Sequence, residues 1–162
     1  MDNFDINNFK KIAVYAYEED AFIPKGIEFC EKTYQKFFDM MFPKIKISEY
    51  FLDGPTFNKN NFRYEWYRLL HLCQHSEFDL VLIPSLKTLS PDGLQSISLT
   101  RELKTKAQKT HIYFALEDFS SLTEDFEKIL SWNFIINDAI THRNKRTKKL
   151  FEYMRLTKTW NT

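Results

Sequence analysis

Glycine and proline are scarce in this chain of 162 residues, with 3 Gly and 5 Pro, which leaves little material for linkers. No internal repeat or low-complexity tract is visible, and no glycine-rich phosphate loop occurs. No apolar run approaches the ~20 residues that a membrane helix needs. The opening stretch from Met1 to Lys11 is polar and acidic, so no secretory signal is expected and a cytoplasmic location is. The 2 cysteines, Cys30 and Cys73, lie in helix-like stretches without paired spacing, as reduced thiols would. The first serine of the chain is Ser48.

What is present suits a globular domain: 43% hydrophobic and 28% charged residues, with aromatic content at 17%. The net charge of +1 hides an asymmetry. Residues 141–162 carry seven Lys or Arg against Glu152 alone, a net +6, and leave the rest at −5. A basic segment on an acidic body points to a polyanion or an acidic partner, with a solvated helix end as the plain alternative.

The segment Phe78 to Pro84 reads Phe-Asp-Leu-Val-Leu-Ile-Pro, an apolar run entered by an acid and ended by proline. Such a run suits a strand buried on both faces, which belongs in a parallel sheet covered by helices. Ile12 to Tyr17, Ile45 to Leu52 and His111 to Leu116 read as further strands. Gly26 to Phe42 places Ile27, Cys30, Tyr34, Phe37, Phe38 and Met41 at helical spacing, and Pro43 stops it. Asn61 to Gln74 puts Phe62, Trp66, Leu69, Leu70 and Cys73 on one face. Asp92 is placed to cap a helix running to about Lys106, and Ser121 or Thr123 to open a last helical region, Leu122 to Leu156, broken near Asn137 to Thr141. The alternation predicts an α/β fold with a mostly parallel sheet of four or five strands between helices, in a flavodoxin-like three-layer arrangement.

Four pieces of the sequence, in order, resemble the catalytic domain of the serine recombinases, the resolvase and invertase family and its large integrase relatives. Ile12-Ala13-Val14-Tyr15-Ala16 is similar to the family's first strand, and Tyr50-Phe51-Leu52-Asp53-Gly54 to its second strand and following acid. Arg63 to Leu70 resembles its Arg-Pro-x-Phe-x-x-Leu-Leu helix opening, and Phe78 to Ile83 with Ser85-Leu86 resembles the third strand and the start of the active-site loop. The resemblance implies residues 1–137 as a resolvase-like catalytic-type domain and 138–162 as a basic C-terminal helical arm.

The family attacks a DNA phosphodiester with a serine hydroxyl while several guanidinium groups stabilise the transferring phosphoryl. Its first strand ends Tyr-x-Arg-x-Ser, and the matching positions here are Tyr15, Tyr17 and Glu19. Its active-site loop continues Asp-Arg-Leu-x-Arg, matched here by Lys87, Thr88, Leu89, Ser90 and Pro91. The resemblance thus implies a degenerate centre at Tyr17, Glu19, Thr88 and Pro91, with Tyr15, Asp53, Arg63 and Asp79 retained. A carboxylate at Glu19 repels the phosphate that a serine would attack.

Read alone, Arg63 is expected to pair with Glu65, Asp53 or Glu19 ahead of a phosphate, and Asp79 to be structural. Ser85 and Ser90 have no nearby histidine to activate them. His71 and His75 share a helical face without Cys73 or further ligands, so a helix C-terminus is preferred to zinc and no metal or cofactor is expected. Phe62 and Trp66 fall on the core side, which leaves Tyr64 and Tyr67 as surface aromatics. The arm residues Arg143, Lys145, Arg146, Lys148 and Lys149 are the candidate DNA phosphate contacts, beside an apolar face of Leu150, Phe151 and Met154.

These observations lead to an expectation: a recombinase-like pseudoenzyme associated with DNA recombination and mobile elements, forming a homodimer or a heteromer with a recombinase-like protein. Two other readings are kept: an active site-specific serine recombinase with an atypical centre, and a small-ligand or nucleotide receptor on a flavodoxin-like sheet.

Overall fold

The computed structural model describes residues 4–18, 26–55, 62–123 and 125–132. After a 3₁₀ turn at Ile6–Asn8 come β1 (Ile12–Tyr17), α1 (Gly26–Met41), β2 (Ile47–Asp53), α2 (Tyr64–Gln74) and β3 (Leu80–Ile83). Next are α3 (Leu86–Leu89), α4 (Gly93–Lys106), β4 (His111–Phe114) and β5 (Phe119–Ser120), and residues 126–132 are helical. The strands form one sheet in the order β2-β1-β3-β4-β5, parallel except for the antiparallel β4–β5 pair.

Strand alternation divides the core. On one face Ala13, Tyr15, Val81, Ile83, Ile112 and Phe114 pack with α2, α4 and the helical residues Phe126 and Leu130. On the other, Ile12, Val14, Leu80, Leu82 and Tyr113 meet Phe38 of α1 and Ile6. Because both faces are covered, β1 and β3 read as unbroken apolar runs, the signature of a parallel sheet between helix layers. No described helix is long and apolar enough to cross a membrane.

Asp79 holds the amino edge of the sheet, where its Oδ2 accepts the backbone N–H groups of Lys10 at 3.3 Å and Lys11 at 3.2 Å. Asp92 caps α4 by accepting from Leu94 N at 2.9 Å and Gln95 N at 3.4 Å. Both cysteines are buried and unpaired, and burial pushes the Cys73 thiol up to about 11.

Some expectations need correction. Phe62 is outside α2 and 56% exposed, its ring stacked on Tyr67, because the helix begins only at Tyr64. The loop after β3 contains the helical turn α3, and β2 starts at Ile47 rather than Ile45. Leu122 is in a turn, and the helical residues begin at 126. Glu19, the arm Arg143, Lys145, Arg146, Lys148 and Lys149, and the boundary drawn at 137 lie outside the described residues.

Candidate functional site at the carboxyl edge of the sheet

Ligands of parallel α/β sheets gather beyond the carboxyl ends of the strands. Here that edge is formed by Tyr17 and Glu18 at the end of β1, Asp53 and Gly54 at the end of β2, and the loop from Ser85 to Asp92 after β3. The first two ends approach closely: Glu18 N donates to the Asp53 carbonyl at 2.8 Å. Gly54 has φ of +143°, and a Cβ there would sit 2.1 Å from the Glu18 carbonyl oxygen. Only glycine fits.

Asp53 is 1% exposed and saturated with donors. Its Oδ1 accepts from Glu65 N at 3.0 Å, and its Oδ2 from Trp66 N at 2.9 Å and the Tyr15 hydroxyl at 3.0 Å. A carboxylate across the first turn of α2 satisfies orphan N–H groups and complements the positive end of the helix dipole. This capture sets the start of α2 and leaves Phe62 outside it.

Tyr15 passes the network on. Its hydroxyl accepts from the Arg63 guanidinium at 2.8 Å while donating to Asp53. Burial drives its ionisation well above the usual phenol range, Arg63 opposing and Asp53 reinforcing the shift. A phenol held in that state is a poor nucleophile.

Arg63 is 5% exposed. Besides Tyr15, it donates to the Leu89 carbonyl at 2.6 Å and to Gln95 Oε1 at 3.1 Å, and its guanidinium lies 4.3 Å from the centroid of the Tyr17 ring. Gln95 Oε1 also accepts the Ser90 hydroxyl at 2.8 Å, and Ser90 Oγ accepts Asp92 N at 3.1 Å. A continuous polar path therefore runs from Asp53 through Tyr15, Arg63, Gln95 and Ser90 to the cap of α4. It ties β1, β2, α2, the β3 loop and α4 together.

The retained positions thus part company. Tyr15, Asp53 and Arg63 converge, whereas Asp79 sits at the opposite edge of the sheet. Arg63 meets neither of its described expected partners directly, reaching Asp53 only through the Tyr15 hydroxyl, while Glu65 pairs with Arg68. Tyr17, Thr88 and Pro91 lie at the rim, partly exposed, and Thr88 donates its hydroxyl to the Ser85 carbonyl at 2.8 Å. Lys87 is exposed.

The other described arginines are engaged away from this cluster. Arg68 pairs with Glu49 and Glu65, and Arg101 with Glu127. Among the described residues, no hydroxyl is flanked by several guanidinium groups, the arrangement that attack on a phosphodiester requires. His75 Nδ1 donates to the His71 carbonyl at 2.8 Å, and no group of three or more His, Cys, Asp and Glu side chains converges as metal ligands would among the described residues.

Sequence reasoning missed Gln95 and the Leu89 carbonyl as partners of Arg63. The Asp92-x-x-Gln95 spacing was a usable signal, since it matches a capping box. In the fold, however, the Gln95 side-chain oxygen faces Arg63 and Ser90.

Glu117, after β4, is a second carboxyl at this edge, half-buried as a residue. Its Oε1 accepts Leu86 N at 3.1 Å while Oε2 is buried without a partner, and burial raises its pKa.

No protein-family model matches the chain, and no curated protein matches it. Solved structures do. The N-terminal catalytic domain of TP901-1 integrase superposes with a TM-score of 0.55 at 21% identity, over 87% of this chain and 98% of that one. A resolvase family site-specific recombinase from Streptococcus pneumoniae gives 0.56 at 13% identity, over 91% and 98%. The chain has the fold of these recombinase catalytic domains; at such identities the likeness establishes the fold alone.

Proposed function

We propose that this protein is a recombinase-fold protein without strand-cleavage activity, which acts by pairing with another recombinase-like chain or a second copy and by sequence-independent contact with DNA phosphates. One observation carries the loss of cleavage: Arg63 is buried, and its guanidinium is engaged by Tyr15, Leu89 and Gln95. A group so held stabilises the fold instead of a transferring phosphoryl. The glutamate at position 19, where the resemblance implies the nucleophile, supports the same reading.

Contact with DNA rests on the basic residues Arg143, Lys145, Arg146, Lys148 and Lys149. Neutralising five phosphates gives a salt slope of about −4.5, so affinity for duplex DNA should fall roughly 500-fold between 50 and 200 mM salt. Replacing the five residues by glutamine should abolish retention on DNA without changing the melting temperature. Unchanged retention would remove the arm from the account. Light scattering after gel filtration tests pairing, and a monomer at all concentrations, alone and with a recombinase, speaks against it.

A further inference from the structure

The outer edge of β2 is an interaction surface that the site above does not use. β2 ends the sheet and has β1 as its one paired strand among the described residues, so its other side presents backbone N–H and C=O groups without a neighbouring strand. A groove of about 540 Å³ runs along it, between α1 and α2. Ile27 of α1, 48% exposed, and Tyr64 of α2, 61% exposed, supply apolar surface to its walls. Its charge is one-sided, with Glu31, Glu49 and Glu65 set against Arg68, while Asp53 at its floor is buried and held by Tyr15 and the start of α2.

Arg68 sits 2.8 Å from both Glu49 and Glu65, so one guanidinium serves two carboxylates and the half-buried Glu31 adds a third acid. Such a surface repels a nucleic acid and attracts a cationic, partly apolar polypeptide. The volume is in the range of sites that enclose small ligands, about 300–1,000 Å³, so it accommodates a few side chains and not a folded domain.

We infer that this groove docks the basic segment of the same chain around Arg143, Lys145, Arg146, Lys148 and Lys149. That run concentrates five cations in seven positions beside Leu150, Phe151 and Met154, matching both the charge and the apolar walls. Reach permits it. The helical residues 126–132 pack at the β5 side, with Phe126 on Phe119 at 5.6 Å between ring centroids. Five strands span roughly 19 Å at about 4.8 Å per strand, and the ten residues 133–142 extend to roughly 33 Å. Docking does not require that the segment bind DNA; where it does, groove and phosphates compete for the same cations.

The test uses the full chain without DNA, at low salt, treated with a zero-length carbodiimide and digested for mass spectrometry. Lys106 with Glu102, 2.8 Å apart, and Lys104 with Glu127, 3.5 Å apart, are internal controls. Cross-links from Glu31, Glu49 or Glu65 to Lys145, Lys148 or Lys149 within a product of monomer mass are expected. Trypsin should also cut the segment several-fold faster in an E31R/E49R variant than in the wild type. Control links without groove links would overturn the inference, as would groove links found only in a product of twice the monomer mass. DNA retention is measured separately, so the proposed function stands or falls apart from this result.

Discussion

Replacing Arg63 by methionine keeps most of the buried stem and deletes the guanidinium. The Leu89 carbonyl, which accepts from it at 2.6 Å, would then be left inside the protein without this donor, at a cost of about 1–3 kcal/mol. Gln95 and Tyr15 each lose a charged donor but keep a second partner, the Ser90 hydroxyl and the Asp53 carboxylate respectively, so their losses fall below the full value for a charged hydrogen bond. The ring contact with Tyr17 adds about 0.5–1 kcal/mol. Part of the sum is returned because a buried charge no longer has to be desolvated. A net destabilisation of about 3 kcal/mol results, or roughly 6–12 °C in melting temperature for a domain of this size. Urea unfolding should show an earlier midpoint at unchanged m. An R63K variant should recover only part, because an ammonium lacks the fork that reaches three acceptors. If Arg63 instead served a bound phosphate, its removal would leave stability within about 0.5 kcal/mol. A loss below about 1 kcal/mol in R63M, together with lost DNA binding, would refute the structural role.

Gly54→Ala forces a Cβ to within 2.1 Å of the Glu18 carbonyl at φ +143° and should cost at least ~2 kcal/mol by thermal unfolding. Asp92→Ala removes the cap of α4 and should cost ~1 kcal/mol, read in the same assay, with hydrogen exchange accelerated in the first turn of that helix. Glu117 gives a pH signature. Its folded pKa is raised above the ordinary glutamate value, chiefly by burial, so its contribution is favourable below the unfolded value and is lost as pH rises through the folded one. Glu117→Gln should therefore raise the melting temperature at pH 7 and lose that advantage near pH 4, and an equal effect at both would contradict the burial argument.

The sequence was most readable where a single element decided the outcome. β1 and β3 are apolar on both faces, Pro43 follows the end of α1, and Asp92 caps α4 with its own side chain. β5 is two residues long and carries no periodicity to detect. Tertiary contact overrode local pattern at Phe62: the helical spacing counts it with Trp66, yet the Asp53 carboxylate binds the N–H groups of Glu65 and Trp66 and starts α2 at Tyr64. The site was legible as a set of positions but not as a network. Tyr15, Asp53 and Arg63 could be named from their resemblance, whereas what Arg63 touches depends on residues 26, 32 and 48 positions away in sequence. Separations of that size are settled by chain topology and not by local propensity.

The most direct test incubates the protein with supercoiled DNA, quenches with denaturant, and looks for relaxed or linear product and for protein covalently attached to a 5′ phosphate. The account predicts intact supercoiled DNA and no adduct, with and without a recombinase partner that cannot itself cleave. Protein trapped on DNA through a hydroxyl of this chain would contradict it.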